Sequence, residues 1–113
     1  MANPRFDRAL ESMRSPDPLA RERGFDFLRE HADAYVDDLL AAFDREPADD
    51  PLRCQLLELV AEARSPRALP VLAAQLGGYD ESLQFWAIRG LEMLDTREAE
   101  EELERARVEG WIV

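Results

Sequence analysis

Apolar positions recur at helical spacing along most of the chain, and one helical unit is written three times. Ala20–Leu28 aligns with Leu52–Val60 and with Leu83–Leu91, at offsets of 32 and 31 residues. Apolar or small residues fill the same slots each time: 20/52/83, 24/56/87, 27/59/90, 28/60/91 and, more weakly, 25/57/88. A second stripe repeats at an offset of 33, with Val36 and Leu39 matching Leu69 and Leu72. A repeat of this length predicts a stacked array in which each unit buries its apolar face on its neighbours.

Seven helices follow, at about residues 4–14, 18–31, 34–45, 51–63, 66–76, 81–94 and 96–109. Asn3-Pro4, Asp17-Pro18, Asp50-Pro51 and Ser65-Pro66 each set a capping side chain before a proline at the first helical position. The cap oxygen accepts an otherwise unpaired N–H, and proline has no N–H to leave unpaired. Asp33, Asp80 and Asp95 are expected to cap without proline, Asp95 with Glu98 at capping-box spacing. Gly77-Gly78 reads as a helix stop. No segment alternates with period two, so no sheet is expected.

The predicted core faces are Ala20, Gly24, Phe27 and Leu28; then Leu52, Leu56, Leu59, Val60 and Ala63; then Leu83, Ala87, Gly90, Leu91 and Leu94. The second helix of each pair adds Val36, Leu39, Leu40 and Phe43, then Leu69, Leu72, Ala73 and Leu76. Gly24 and Gly90 lie mid-helix, where glycine costs about 1 kcal/mol against alanine. Close approach of a neighbouring helix is the expected return.

These residues resemble short HEAT-repeat proteins of the small bacterial type, similar to phycobilisome-lyase HEAT-like repeats. Leu52-Arg53 stands where the family often has Val-Arg, and Ser65-Pro66-Arg67-Ala68-Leu69-Pro70-Val71-Leu72 resembles its turn followed by Ala-Leu/Ile-Pro-x-Leu. The last unit departs, with Gln84 in place of the arginine and glutamate filling Ala99–Leu103; the first lacks the second-helix proline. The resemblance spans residues 17–107. It implies an all-α, right-handed α–α superhelix of three helical pairs plus an N-terminal helix, as one domain over residues 1–113. Such motifs describe packing. They occur in chromophore lyases, scaffolds, adaptors and a DNA glycosylase family, so fold alone does not select a function.

Charge narrows the partners. Fourteen arginines and no lysine oppose 25 carboxylates, giving a net charge of -11. Nucleic acid and anionic membrane surfaces repel such a chain, whereas a basic protein attracts it. Apolar residues make up 46% of the chain, enough to argue against disorder, yet no run approaches the roughly 20 residues of a membrane span. The first residues hold no apolar signal core, and Cys54 has no internal disulfide partner; a cytoplasmic location is the expectation.

No catalytic constellation is apparent, and neither a metal nor a cofactor is expected. His31 is the single histidine and reads as a helix-terminal residue. Cys54 lies about 200° from Leu52 on the helical wheel and reads as a passive thiol. One histidine and one cysteine do not make a structural zinc site. The carboxylates cluster instead, in residues 33–49 and 95–109, on second helices of the pairs. In arrays of this type the second helices line one concave wall. That wall is expected to present Tyr35, Asp38 and Ala42, then Val71, Ala74 and Gln75, then Glu98, Glu101 and Glu102.

Two aromatics offer another site. Phe85 and Trp86 fill slots held by polar residues or Cys54 in the other units. An exposed pair would anchor an interface; alternatively, the C-terminal Trp111-Ile112-Val113 covers Trp86 and closes the array. The expected function is non-enzymatic binding of a basic protein through the acidic wall, most concretely as an immunity protein neutralising a basic toxin. The alternatives are a chromophore-lyase-like enzyme or subunit, and a structural adaptor in a larger assembly.

Overall fold

The computed structural model describes residues 3–113, and all of its regular structure is helical. The α-helices are α1 (Pro4–Met13), α2 (Pro18–Glu30), α3 (Val36–Arg45), α4 (Pro51–Glu62), α5 (Leu69–Gln75), α6 (Glu81–Leu94) and α7 (Arg97–Val108). Short 3-10 turns at Ala32–Tyr35 and Pro66–Ala68 lead into α3 and α5. No strand occurs among the described residues. The molecule measures 42 × 25 × 22 Å along its principal axes.

Local chemistry sets most helix starts. The side chains of Asn3, Asp17, Asp50, Ser65 and Asp80 accept from backbone N–H groups two or three residues on, at 2.9–3.4 Å. Two expected caps do not form. The 3-10 turn absorbs Asp33, and α3 starts after Tyr35 without a side-chain cap. Asp95 sits in the left-handed region (φ 50°) and ends α6, while Thr96 accepts from the N–H of Ala99 at 3.2 Å and caps α7. The two helices are separated by only these two residues, so each residue serves one helix end. Proline explains the split before α5. Pro70 lacks the N–H that a helix continuous from Pro66 would need, so the α-helix begins at Leu69 with Pro70 in its first turn.

The core is centred on α4, where Leu52, Leu56, Leu57, Leu59, Val60 and Ala61 are all buried, as is Ala63 just past its end. Helices α3 and α6 cover this helix, α5 and α7 pack on α6, and α5 touches α7. The turn before α5 bridges α3 and α5. The N-terminal end differs, because α2 packs mainly on α1 and only lightly on α4.

Both mid-helix glycines mark close approaches. A Cβ at Gly90 would lie 2.9 Å from the Leu72 methyls and 3.1 Å from the Ala61 Cβ, where α6 meets α5 and α4. A Cβ at Gly24 would lie 2.5 Å from the Ala9 carbonyl oxygen and 2.9 Å from the Ser12 Cβ, where α2 crosses α1.

The C-terminus is tied down. Gly110 is left-handed (φ 78°), with hydrogen bonds from Gly110 N–H to the Arg107 carbonyl (3.1 Å) and from Trp111 N–H to the Ala106 carbonyl (2.9 Å). This is a Schellman ending for α7. It lays the Trp111 indole on Gly77, whose added Cβ would come within 3.3 Å of the ring. Gln84 Nε2 donates to the Leu76 and Trp111 carbonyls at 2.8 and 2.9 Å. Gln84, at a departure from the repeat pattern, thus bridges the end of α5 to the tail.

Candidate functional site

The acidic second-helix surface is built from α3, α5 and α7, with the Pro66–Ala68 turn filling in between α3 and α5. Amphipathic spacing fixes which side chains reach water. In α7, Ala99, Leu103 and Ala106 face inward, so Glu98, Glu100, Glu101 and Glu104 face outward, and Glu109 is exposed just past the helix end. In α3, Asp37 and Asp44 are exposed and Asp38 is half-buried at the edge of the core face.

The residues expected on the wall differ in exposure. Asp38, Glu98 and Glu101 reach solvent, and Val71 and Gln75 are half-buried on α5 between them. Ala42 does not belong to the wall: it is 2% exposed and packs in the core. The inward face of α3 is rotated from the expected stripe of Val36, Leu39, Leu40 and Phe43: Ala42 is drawn in and Leu40 is left half-exposed. Tyr35 is half-buried, with its ring 5.8 Å from Phe6 and 6.1 Å from Phe27. Its position serves an aromatic cluster joining α1, α2 and the turn before α3.

Ion pairing divides the carboxylates further. Glu101 pairs with Arg97 at 3.4 Å, Glu102 with Arg105 at 3.3 Å and Glu104 with Arg107 at 3.4 Å, all within α7. Arg67 reaches Asp37 at 2.6 Å and ties the turn before α5 to α3. Pairs this exposed contribute little stability but cancel charge locally. Asp38, Asp44, Glu98, Glu100 and Glu109 have no ion-pair partner among the described residues, and they carry the uncompensated field of this surface.

The buried charge lies elsewhere. Glu46, 6% exposed, receives a two-pronged hydrogen bond from Arg14 at 2.8 and 3.2 Å. This hydrogen bond, with the charge of Glu46, raises the Arg14 pKa further. The pair clamps the end of α1 to the end of α3, a structural role that sequence spacing did not reveal. Arg53 sits 4.1 Å over the Phe43 ring, so the arginine of the repeat motif braces α4 against α3.

The remaining candidates fall into place individually. Phe85 is 53% exposed, Trp86 is half-buried, and their rings meet edge-on at 5.1 Å. The tail is held by Trp111 on Gly77, by the Gln84 hydrogen bond to the Trp111 carbonyl, and by Ile112, which like Trp86 packs against the core. Cys54 is half-buried, and burial, followed by the charges of Asp80 and Glu58, pushes its thiol pKa up. A thiol shifted this way is a poor nucleophile at neutral pH. His31 is exposed at the end of α2, its ring 4.7 Å from Phe27. No group of three or more His, Cys, Asp or Glu side chains is placed to hold a metal ion among the described residues. None of the described helices is long and apolar enough to cross a membrane.

Charge is unevenly distributed along the molecule. Residues 1–31 carry six arginines and six Asp or Glu, whereas residues 32–113 carry eight arginines and nineteen Asp or Glu. The entire net charge therefore comes from the segment that contains α3, α5 and α7. Comparison with protein-family models, curated proteins and solved structures finds no match in any of the three.

Proposed function

We propose that this protein is a non-enzymatic, HEAT-like interaction module that binds a basic protein through the outward faces of α3 and α7. The observation that carries this reading is the charge asymmetry: nineteen carboxylates against eight arginines in residues 32–113. Several of those carboxylates, Asp44 on α3 and Glu98 and Glu100 on α7, are exposed and without an ion-pair partner among the described residues. An acidic surface of this kind steers a cationic partner during encounter and rejects nucleic acid. The uncharged, half-buried Val71 and Gln75 of α5 add no charge to this surface. In its most concrete form the module is an immunity protein that covers the cationic active site of a toxin.

The test uses three proteins as bait against a lysate of the source cells at low and moderate salt. They are the wild type, a variant with Asp38, Glu98 and Glu101 reversed to arginine, and one with Glu22, Asp26 and Glu92 on α2 and α6 reversed. Both reversals change the net charge equally, so only location differs. The proposal requires a basic protein retained by the wild type and the α2/α6 variant and lost by the α3/α7 variant. Equal retention by both variants, or equal loss from both, removes the surface from consideration.

A further inference from the structure

The α1–α2 end holds a feature of opposite sign. A cleft of about 290 Å³ runs along the crossing of these helices, lined by Arg5, Arg8, Ala9, Ser12, Arg23, Gly24 and Phe27. No carboxylate lines it, in a chain with 25 of them. Arg5 and Arg8 are three residues apart on α1 and so share a face, while Arg23 comes from the opposing helix. None of the three makes an ion pair among the described residues. Six other arginines, Arg14, Arg29, Arg67, Arg97, Arg105 and Arg107, pair with carboxylates, whereas Arg45, Arg64 and Arg89 are, like the cleft arginines, unpaired among the described residues but line no cleft with them. Arg21 donates to the Ser15 and Pro16 carbonyls.

We infer that this cleft binds a phosphate monoester that carries an apolar substituent. Three arginines lining one cleft suit a group with three terminal oxygens and nearly two negative charges at neutral pH. A carboxylate offers two oxygens and a single charge. The floor is apolar: Ala9, the Cβ-free backbone of Gly24, and the half-buried Phe27 ring give the ester substituent a surface to lie on. The close helix crossing at Gly24 fixes the two walls relative to one another, with Arg5 and Arg8 on one wall of the cleft and Arg23 on the other. The acidic second helices repel an anion, but the molecule is 42 Å long and a Debye length is only ~8 Å at 0.15 M salt. The N-terminal 31 residues, with six arginines and six carboxylates, are neutral on their own.

Nuclear magnetic resonance titration of the full chain with phenyl phosphate tests the site, with inorganic phosphate and benzoate as comparators. Saturable amide shifts should map to α1 and α2, with phenyl phosphate binding more tightly than either comparator. Arg8→Gln with Arg23→Gln should weaken phenyl phosphate by about a hundredfold, at about a factor of ten per charge-assisted fork removed. Arg45→Gln with Arg64→Gln changes the net charge equally and should leave the affinity within about twofold. A phosphotyrosine peptide that binds more tightly than phenyl phosphate assigns the group to a phosphorylated protein segment, and equal affinity assigns it to a small molecule. No saturable shift below about 10 mM, benzoate binding as well as phenyl phosphate, or equal loss from both arginine pairs overturns the inference. Thermal melts of both double variants check that each retains the fold, and Arg5→Gln alone repeats the test if one does not.

Discussion

Replacing Gly24 by alanine sets helix propensity against packing at one atom. Alanine in a helix interior gains about 1 kcal/mol over glycine. Here the new Cβ would sit 2.5 Å from the Ala9 carbonyl oxygen and 2.9 Å from the Ser12 Cβ. The nearer atom is backbone, so no rotamer change relieves the contact, and α1 must retreat by about half an ångström merely to restore 3.0 Å. Phe6, Ala9, Leu10 and Met13 bury the inner face of α1, and all of them move with it. Overpacking a well-packed contact costs about 1–3 kcal/mol, and a backbone contact belongs at the upper end. The net expectation is a loss of about 2 kcal/mol, or roughly 8 °C in melting temperature for a domain of this size. Gly90→Ala is the internal control. Its Cβ meets the Leu72 methyls and the Ala61 Cβ at 2.9–3.1 Å. A leucine end can shift by a few tenths of an ångström, so propensity and packing should nearly cancel, to within about 1 kcal/mol. Urea unfolding followed by circular dichroism at constant m-value measures both. Stabilisation by Gly24→Ala, or a larger loss at Gly90 than at Gly24, would refute the claim that the α1–α2 crossing is backbone-limited.

Arg14→Met should lower stability by about 3 kcal/mol in urea unfolding, because it leaves the buried Glu46 carboxylate without its partner. Arg14→Met combined with Glu46→Leu should recover much of that loss, and simple additivity of the two changes would exclude coupling. Gln84→Ala should free the tail and raise the quantum yield or shift the emission of Trp111, since Gln84 holds its carbonyl at 2.9 Å; unchanged fluorescence and melting would show that the seat on Gly77 suffices. Glu58 supplies a pH test. Burial, opposed by Arg29 and reinforced by Glu62, raises its pKa above the ordinary carboxylate value. The folded state therefore holds the proton more tightly than the unfolded chain, and its contribution to stability falls as pH rises above about 4. Glu58→Gln should accordingly gain on the wild type at pH 7 and lose that advantage near pH 4, as read from paired melting curves; a pH-independent difference would contradict the burial argument.

Helix placement was legible because its determinants are local. A cap oxygen reaches an N–H two or three residues on, and the pairs Asp17-Pro18, Asp50-Pro51 and Ser65-Pro66 display both halves of that chemistry in adjacent letters. The repeat slots were legible for a similar reason: position 28/60/91 is Leu28, Val60 and Leu91, all completely buried. What failed depends on neighbours distant in sequence. Ala42 is small enough to suit either face, and only the packing around α3 draws it inward. Asp95 can cap or adopt a left-handed turn, and the tight junction between α6 and α7 selects the turn. The Arg14–Glu46 clamp spans 32 residues, and nothing at either end announces it. The arginine cleft was written more openly, as Arg5 and Arg8 on one helical face, but Arg23 joins them only through the crossing at Gly24. The acidic wall was legible as charge, and its division into paired and unpaired carboxylates required the rotamers of α7.

Carbodiimide labelling of carboxyl groups, read by mass spectrometry on the free protein and on its complex with the retained basic partner, tests the proposed interface most directly. Binding through α3 and α7 predicts that Asp38, Glu98 and Glu101 lose reactivity in the complex while Glu22, Asp26 and Glu92 keep theirs. A complex in which the α3 and α7 carboxylates label as freely as in the isolated protein, with oxidative footprinting instead protecting Phe85 and Trp86, would contradict the account and place the interface on the aromatic pair of α6.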